Sequence, residues 1–442
     1  MVDATRKHSS SFPDGLNMED KKVKAVHGLT IWTAAVFIVG EIAGSGVLAL
    51  PSAVEGAGWI GMVMLFLCCF ISTYTGDVLG TAWCIIQDRY EQYRGHIRYP
   101  YPAIGEITYG KPGRYLVSFS INFTMYGGAV VYLILASENL QSLFADVHKD
   151  ISFCFWLLIV AGILLPLSWL GTPKDFWPIA VGAAVATGTA CIILTTNMVI
   201  DKKDLPEVVH DTPGFVSFFT AFGTICFAFG GHPAFPTFQT DMKDHRQFGK
   251  AVLLAYMIVL CMYIPVSVTG YFVYGKDTQP NILQTVSSGP MLVTVQILVT
   301  LHLFCGFIII INPFSQEVEE IFKVPHHFGW KRCLLRTVLV ALVLFGAETV
   351  PKFGAILALV GGSTISILAF ICPPLFYLKL TKMEGDWEKI EVPLHKRVAL
   401  YEIVFVGLVA GIASTYSAFA GLLAPGAFTV PCYINITAAS GS

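Results

Sequence analysis

Long apolar stretches alternate with short polar segments along almost the whole chain. Eleven of these stretches have the pattern expected of membrane-spanning helices, since about 20 apolar residues cross the hydrocarbon core of a bilayer. The predicted spans are residues 29–54, 59–86, 115–145, 152–170, 176–200, 215–240, 250–274, 289–318, 333–347, 352–378 and 399–423. The pattern therefore predicts an all-α polytopic membrane protein with the lipid bilayer as its main partner.

The composition agrees with a membrane protein and argues against several other classes. Of the 442 residues, 55% are hydrophobic and 13% are charged, whereas soluble domains carry about 25% charged residues. The 11 cysteines are scattered without metal-ligand spacing, and no phosphate-binding loop or nucleophile–base pair is evident. We therefore predict that the protein is not an enzyme, does not bind nucleic acid, and needs no cofactor or resident metal. The sequence leaves the oligomeric state open.

The distribution of Lys and Arg predicts the orientation in the membrane. With the N-terminus in the cytosol, 23 of the 28 Lys and Arg residues lie on the cytosolic side and 5 on the opposite side, as the positive-inside rule requires. Residues 1–28 are then a cytosolic tail and residues 424–442 a non-cytosolic one. The outer side carries a glycosylation sequon at Asn435, and Cys154 and Cys432 lie near the same face, where a disulfide is geometrically allowed. No sorting signal separates the plasma membrane from an endolysosomal or vacuolar membrane.

The first predicted span does not suit a continuous helix. Its centre reads GEIAGSGVLALP, residues 40–51. A carboxylate at the bilayer centre costs about 2.5–3.5 kcal/mol on insertion scales, and a glycine in a helix interior costs roughly 1 kcal/mol relative to alanine. Irregular backbone at this depth is tolerated where it is buried in protein or lines a cavity. We expect the helix to open here and to line a binding site.

The sixth predicted span is interrupted in a similar way. It contains CFAFGGHPAFPTF, residues 226–238, in which proline removes a backbone donor and clashes with the preceding turn. The two interrupted spans are five apart and cross in opposite directions, which is the sequence signature of a transporter built on an inverted repeat. Residues 29–200 and 215–378 would be the two five-helix repeats, and residues 399–423 an eleventh helix. Small residues can also serve only close helix packing.

Four stretches resemble the amino acid/auxin permease family. They are GSGVLALP in the first span, GHPAFPTFQTDM from Gly231, INPFSQEVEEIF from Ile311, and FGAILALVGGSTISILAFICPPLFYLKL from Phe353. The resemblance implies eleven spans, a LeuT-like fold, and transport of amino acids that is commonly coupled to protons and in some branches to sodium. Glu41 departs from the asparagine often found near its place in the family, which leaves the coupling ion open.

An amino acid presents a carboxylate and an ammonium group, and a broken helix offers a complement to each. The half-helix that begins after the first break presents free N–H groups and a positive dipole end, which suit the carboxylate. The half-helix that ends at the second break exposes carbonyl groups, which suit the ammonium. The residues predicted to bind the carboxylate are Ala43, Gly44, Ser45 and Gly46. Those predicted to contact the ammonium and side chain are Phe227, Phe229 and Gly230. Asn122 and Tyr126, four apart on the third span, could line the pocket or make an interhelical hydrogen bond instead.

Four ionisable residues lie at intramembrane positions, where such groups commonly serve proton or ion coupling. Glu41, beside the first break, is the first candidate for proton coupling, and His232 is the second. Asp77 and His302 are expected to be structural. In LeuT-like folds the shared sodium site takes carbonyls from the first span and hydroxyls from the eighth. The stretch Gly306 to Asn312 offers no Ser or Thr, so sodium is less favoured than protons.

The sequence therefore predicts a secondary active transporter of small, neutral amino acids, driven by proton symport. Four alternatives stay open: a sodium-coupled or exchange-type amino acid transporter, an amino acid sensor with little transport, a channel, and a transporter of the same fold that carries amines, nucleobases or ions. A channel is disfavoured because two broken helices that meet at mid-depth indicate a single gated site. A sensor is disfavoured because the predicted cytosolic tail is short.

Overall fold

The computed structural model describes residues 28–95, 97–145, 151–170, 177–202, 207–325, 327–423 and 434. These residues form an all-helical bundle whose longer helices we number α1 to α14. They are Ile31–Ile42 (α1), Gly46–Ala57 (α2), Trp59–Arg89 (α3), Pro100–Leu143 (α4), Phe153–Trp169 (α5), Trp177–Asp201 (α6), Phe215–Ala228 (α7), Phe235–Thr240 (α8), Phe248–Tyr274 (α9), Pro290–Ile321 (α10), Trp330–Thr349 (α11), Phe353–Val360 (α12), Cys372–Lys382 (α13) and Leu394–Leu423 (α14). A π-helical stretch, Gly361–Ile371, joins α12 to α13.

Most of the predicted spans coincide with helices that are long and apolar enough to cross a membrane. In the described residues there are eight such helical segments, and the bent pair α1–α2 makes a ninth. Helix α5 is apolar but only 17 residues long, and α11 begins with charged residues. The order of the helices follows the predicted order of the spans, while the count of eleven membrane crossings stays a prediction.

The surface of the bundle is apolar where lipid would cover it. Large side chains are exposed along the outer helices, including Phe70 on α3 and Phe405 and Ile412 on α14, each at least 67% exposed. Contiguous exposed apolar surface of this kind is typical of a membrane-facing protein. The buried core includes the contacts among α1, α2, α7 and α9, with α9 packed on both halves of the first span.

Both interrupted spans are broken in the structure. Helices α1 and α2 meet at an angle of 63° across a break of three residues. Helix α7 ends at Ala228, and the chain continues through a short 3₁₀ turn, His232–Ala234, into α8. The two breaks are adjacent because α2 packs against α7. The predicted interruptions of the first and sixth spans are both present.

A helix precedes the third predicted span. The chain is helical from Pro100, and at Gly110, whose φ of +69° lies in the left-handed region, this helix gives way to the one that contains the span predicted at residues 115–145. Proline at the first helical position is favourable because it has no N–H to leave unpaired, and glycine takes a positive φ without strain. Part of the predicted cytosolic loop is therefore helical.

Two arginines counted on the cytosolic side, one before the ninth predicted span and one inside it, are buried. Arg336 is 1% exposed and Arg332 is 8% exposed. Both donate to the Oε1 atom of Glu319, over 2.6 and 3.2 Å respectively. Arg336 also donates to the Ser168 carbonyl at 2.7 Å and to Asn312 Oδ1 at 2.9 Å. These contacts link the ends of α5, α10 and α11. The arginines at the start of the short ninth span can therefore be buried because they are paired and hydrogen-bonded.

Several predictions fall outside the described residues. The sequon at Asn435, Cys432 and the tail residues 1–27 are among them. Cys154 is disulfide-bonded, while the nine other cysteines of the described residues are free. Its pairing with Cys432 stays a prediction.

Candidate substrate site

The break in the first span leaves backbone donors without partners. Ala43 and Gly44 close the end of α1 by donating to the carbonyls of Val39 and Ile42, at 2.7 and 2.9 Å. Among the described residues, the N–H groups of the next three residues find no backbone acceptor, as expected for the first turn of a helix. The buried Oγ atom of Ser45 also has no hydrogen-bond partner there. Unpaired donors thus cluster at the start of α2, within and directly after residues 43–46, where the carboxylate site is predicted.

The carbonyl groups at the second break are more occupied than predicted. The Phe227 carbonyl accepts from Gly230 N–H at 3.0 Å. The Phe229 carbonyl accepts from the Tyr256 hydroxyl at 2.8 Å and from Gly231 N–H at 3.1 Å. The Phe227 carbonyl also accepts from the Phe229 N–H, which is shared with the Ile225 carbonyl, so both carbonyls already have two donors. Phe229 is also fully buried, so its carbonyl is a poor site for a ligand ammonium in this conformation.

One tyrosine joins the two breaks. The Tyr263 hydroxyl lies 2.9 Å from the Ile42 carbonyl and 3.2 Å from the Ala228 carbonyl, and donates to both. These carbonyls end α1 and α7, so a single proton is shared between the two interrupted helices. The backbones also touch directly, because a Cβ atom on Gly46 would lie 2.7 Å from the Ala228 Cα atom. Tyr263 lies inside an apolar run, and nothing in its sequence context indicates this role.

The third span reaches the break through a residue other than those predicted. The Tyr126 hydroxyl donates to the Leu342 carbonyl on α11 at 3.0 Å, which is the interhelical bond of the competing interpretation. The buried Oδ1 atom of Asn122 has no partner in the described residues. Tyr132 is the residue that approaches the break, since its hydroxyl would lie 2.7 Å from a Cβ atom on Gly44. Six residues along a helix is a rotation of about 240°, which places Tyr126 and Tyr132 on different faces.

The two residues predicted to couple protons lie in different environments. Glu41 is only partly buried and makes no hydrogen bond to any described residue, although it is close enough to Tyr132 for an electrostatic interaction. His232 is fully buried. Its Nε2 atom lies 3.0 Å from Thr75 Oγ1 on α3, and its ring packs on Phe235. The structure therefore places Glu41 beside the break in the first span and turns His232 toward α3.

His302, expected to be structural, faces the break. Its Nδ1 atom lies 3.1 Å from Thr187 Oγ1 and 3.3 Å from the Ala183 carbonyl on α6. Its Nε2 atom would lie 3.3 Å from a Cβ atom on Gly44. Asp77, by contrast, is exposed and lies against Gly249 on α9. Counting along the span places His302 at mid-depth but does not show that it points at the first span.

A small cavity lies beside the break in the first span. It has a volume of about 10 Å³, which is room for roughly one water molecule. Its lining comes from three parts of the bundle: Gly44, Val47 and Leu48 on the first span, Thr187, Ala190, Cys191 and Leu194 on α6, and Val299 and His302 on α10. Sites for small organic ligands measure about 300–1,000 Å³, so the structure is closed at this point.

Comparison with known proteins decides the family. The model of the family described as "Transmembrane amino acid transporter protein" matches residues 27–420. The chain belongs to this family. Among Arabidopsis thaliana proteins, it is 26% identical to amino acid transporter AVT1B over 401 residues, covering 87% of this chain and 70% of the relative. It is 27% identical to amino acid transporter AVT3B over 397 residues, covering 87% and 91%.

Solved structures show the fold. The chain resembles MhsT in complex with L-phenylalanine, with a TM-score of 0.56, 12% identity, and coverage of 89% of this chain and 99% of that one. It also resembles a mutant of the Eremococcus coleocola manganese transporter, with a TM-score of 0.55, 11% identity, and coverage of 95% and 91%. The predicted LeuT-like fold is confirmed by these likenesses, and the predicted family by the family match.

Proposed function

We propose that the protein is a secondary active transporter that moves small, neutral amino acids by alternating access, coupled to proton symport. The observation that carries the proposal is the meeting of the two broken helices through Tyr263, with unpaired N–H groups and the Ser45 hydroxyl beside that junction. Backbone donors at a helix start favour a carboxylate, which every amino acid carries. The relatives named as amino acid transporters support the same substrate class.

Closure of the structure around the junction supports alternating access. The cavity of about 10 Å³ next to Gly44 cannot hold an amino acid, so a substrate can enter only after the helices around it move. Such movement is expected where one repeat or helix bundle rocks against the other around a site at mid-depth. We place the N-terminus in the cytosol, and either the plasma membrane or an endolysosomal or vacuolar membrane as the location.

Proton coupling is assigned to Glu41, with His232 as the second candidate. The Glu41 carboxyl group lies directly before the break and makes no hydrogen bond to the described residues, so no partner fixes its protonation state. The stretch of α10 that would supply hydroxyls to a sodium ion, Gly306 to Asn312, has none. The sodium-coupled or exchange-type transporter is the alternative function, and membership of the family supports it equally.

The test is uptake of a radiolabelled amino acid panel into proteoliposomes, with and without an inward proton gradient, in sodium-free buffer. We expect gradient-stimulated uptake of small neutral amino acids, and loss of that stimulation in Glu41→Gln. Glu106→Gln is the matched control, because Glu106 pairs with Arg114 at 2.7 Å on an exposed surface away from the break. Uptake that ignores the proton gradient but requires sodium would refute the coupling. Binding without uptake would favour a sensor.

A further inference from the structure

We propose that His302 is a second proton-binding residue of the transport cycle and that it acts on the substrate site beside Gly44. The inference rests on the proposed transport function and adds a residue that is expected from the sequence to be structural. It is drawn from the geometry of the imidazole ring, whose two nitrogen atoms lie in different surroundings.

The hydrogen-bond partners of Nδ1 indicate which nitrogen of the His302 ring carries the proton. Nδ1 lies 3.3 Å from the Ala183 carbonyl and 3.1 Å from Thr187 Oγ1. A carbonyl oxygen can only accept a hydrogen bond, so we assign the ring proton to Nδ1, which then donates to this carbonyl. The Thr187 hydroxyl itself donates to the same carbonyl, at 3.0 Å, and is therefore free to accept from Nδ1. In the neutral ring Nε2 then holds a lone pair.

The other ring nitrogen, Nε2, faces the proposed substrate site. It points at the break in the first span, where a Cβ atom on Gly44 would lie 3.3 Å from Nε2 and 2.7 Å from the Tyr132 hydroxyl. Neither of these two polar atoms has a hydrogen-bond partner in the described residues. His302 also lines the small cavity beside α2 and is 4% exposed. A proton acceptor thus faces the proposed substrate site from α10.

Titratable side chains lie around the His302 ring. In the described residues, Tyr132 on α4 packs against the ring with centroids 6.3 Å apart, and Cys191 on α6 lines the same small cavity. Glu41 lies three residues before Gly44 and close to Tyr132, and Tyr263 on α9 lies next to Tyr132 and Cys191. A proton taken up at Nε2 would add positive charge beside Gly44, where the substrate carboxylate is proposed to bind.

In the proposed cycle, the transported proton has a defined source, binding atom and destination. It binds to the Nε2 lone pair from the outer solution while the site is open to that side, and the resulting imidazolium keeps its Nδ1 donor bond. It leaves from Nε2 to the cytosol once the site opens inward and the substrate has departed. No bond other than N–H forms or breaks.

The test uses two variants of His302 that separate its proton binding from its hydrogen bond to α6. Asn at position 302 can place its amide N–H where Nδ1–H lies, so His302→Asn keeps the bond to α6 and removes the facing nitrogen. Gln can place its amide near the Nε2 position but cannot titrate. We expect both variants to lose at least tenfold of the proton-gradient stimulation of uptake, measured at equal protein incorporation. His395→Asn is the matched control, because His395 is exposed at the start of α14.

The outcomes separate this inference from the proposed function. Gradient-stimulated uptake that survives in His302→Asn and His302→Gln would overturn the role of His302 and leave transport intact. Absence of uptake in the wild-type protein would overturn the proposed function itself. If the position 302 variants do not fold, Thr187→Val gives a second measurement. It removes an acceptor for Nδ1–H from the charged ring, so half-maximal stimulation should move to more acidic pH, and an unchanged pH profile would contradict the proposal.

Discussion

The contact between the two broken helices is tight enough to be tested by one methyl group. In Gly46→Ala the added Cβ atom would lie 2.7 Å from the Ala228 Cα atom and 2.9 Å from its Cβ atom. Ordinary van der Waals contacts begin near 3.4 Å, so the backbones must separate by several tenths of an ångström. Neither atom is the flexible end of a side chain, and the strain cannot be relieved by a rotamer change.

The expected magnitude follows from the cost of overpacking. Inserting a methyl group into a well-packed interior costs about 1–3 kcal/mol. If that cost falls on the closed conformation described above, its population relative to open states drops on the order of 5- to 150-fold. We expect a matching loss of transport rate, since a cycle of alternating access passes through a closed state, together with a lower melting temperature in detergent.

The assay compares initial rates of amino acid uptake at equal protein incorporation, with Gly162→Ala as the matched control. Gly162 lies in α5, and a Cβ atom there would meet nothing within 4 Å, so the substitution should leave transport unchanged. Wild-type uptake and melting temperature in Gly46→Ala would show that the breaks are not in close contact, and the reasoning on their junction would then be wrong.

Two further substitutions test the junction. Tyr263→Phe removes the hydroxyl that is shared by the carbonyls ending α1 and α7. The Ile42 carbonyl keeps its bond from Gly44 N–H, so the expected loss of about 1–3 kcal/mol is the cost of leaving the Ala228 carbonyl unpaired, seen as a lower melting temperature. An unchanged melting temperature would contradict the bridge. Ser45→Ala removes a buried hydroxyl that has no partner among the described residues, so the empty protein should keep or gain stability while the apparent KM for amino acid rises several-fold. A stability loss with unchanged KM would show that the hydroxyl has only a structural role.

Much of the fold was predictable because hydrophobic pattern and helix-breaking residues act locally. Length and apolarity identify spans directly, and the cluster Gly44-Ser45-Gly46 and the pair His232-Pro233 both fall where the helices open. The helix before the third span was missed because Pro100 and Gly110 are favourable in a kinked helix as well as in a loop. The burial of Arg336 was missed because its partner Glu319 lies on another helix.

The site was predictable only where the backbone itself forms it. Residues 43–46 lie at the break because their own sequence makes the break. The side chains that approach it, Tyr132, Tyr263 and His302, come from three other helices, and their direction depends on how those helices are rotated in the bundle. A single sequence carries no information on that rotation for helices that are apolar on most faces.

Gly44 is where the proposed coupling and the proposed substrate site meet. With a side chain at this position, the Tyr132 hydroxyl and the His302 ring could not both approach the backbone. In the native protein, the carboxylate of a substrate bound at the start of α2 would lie near Nε2 of His302 and near Glu41.

A proton on either group makes the site less negative or more positive, which strengthens carboxylate binding. Linkage is reciprocal, so a bound substrate must raise the proton affinity of the same groups by the same factor. A transporter built this way should therefore show substrate affinity that rises as the pH falls, and a proton affinity that rises with substrate. Equal substrate affinity at pH 5.5 and 7.5, both roughly one unit from the ordinary pKa of histidine, would exclude such coupling.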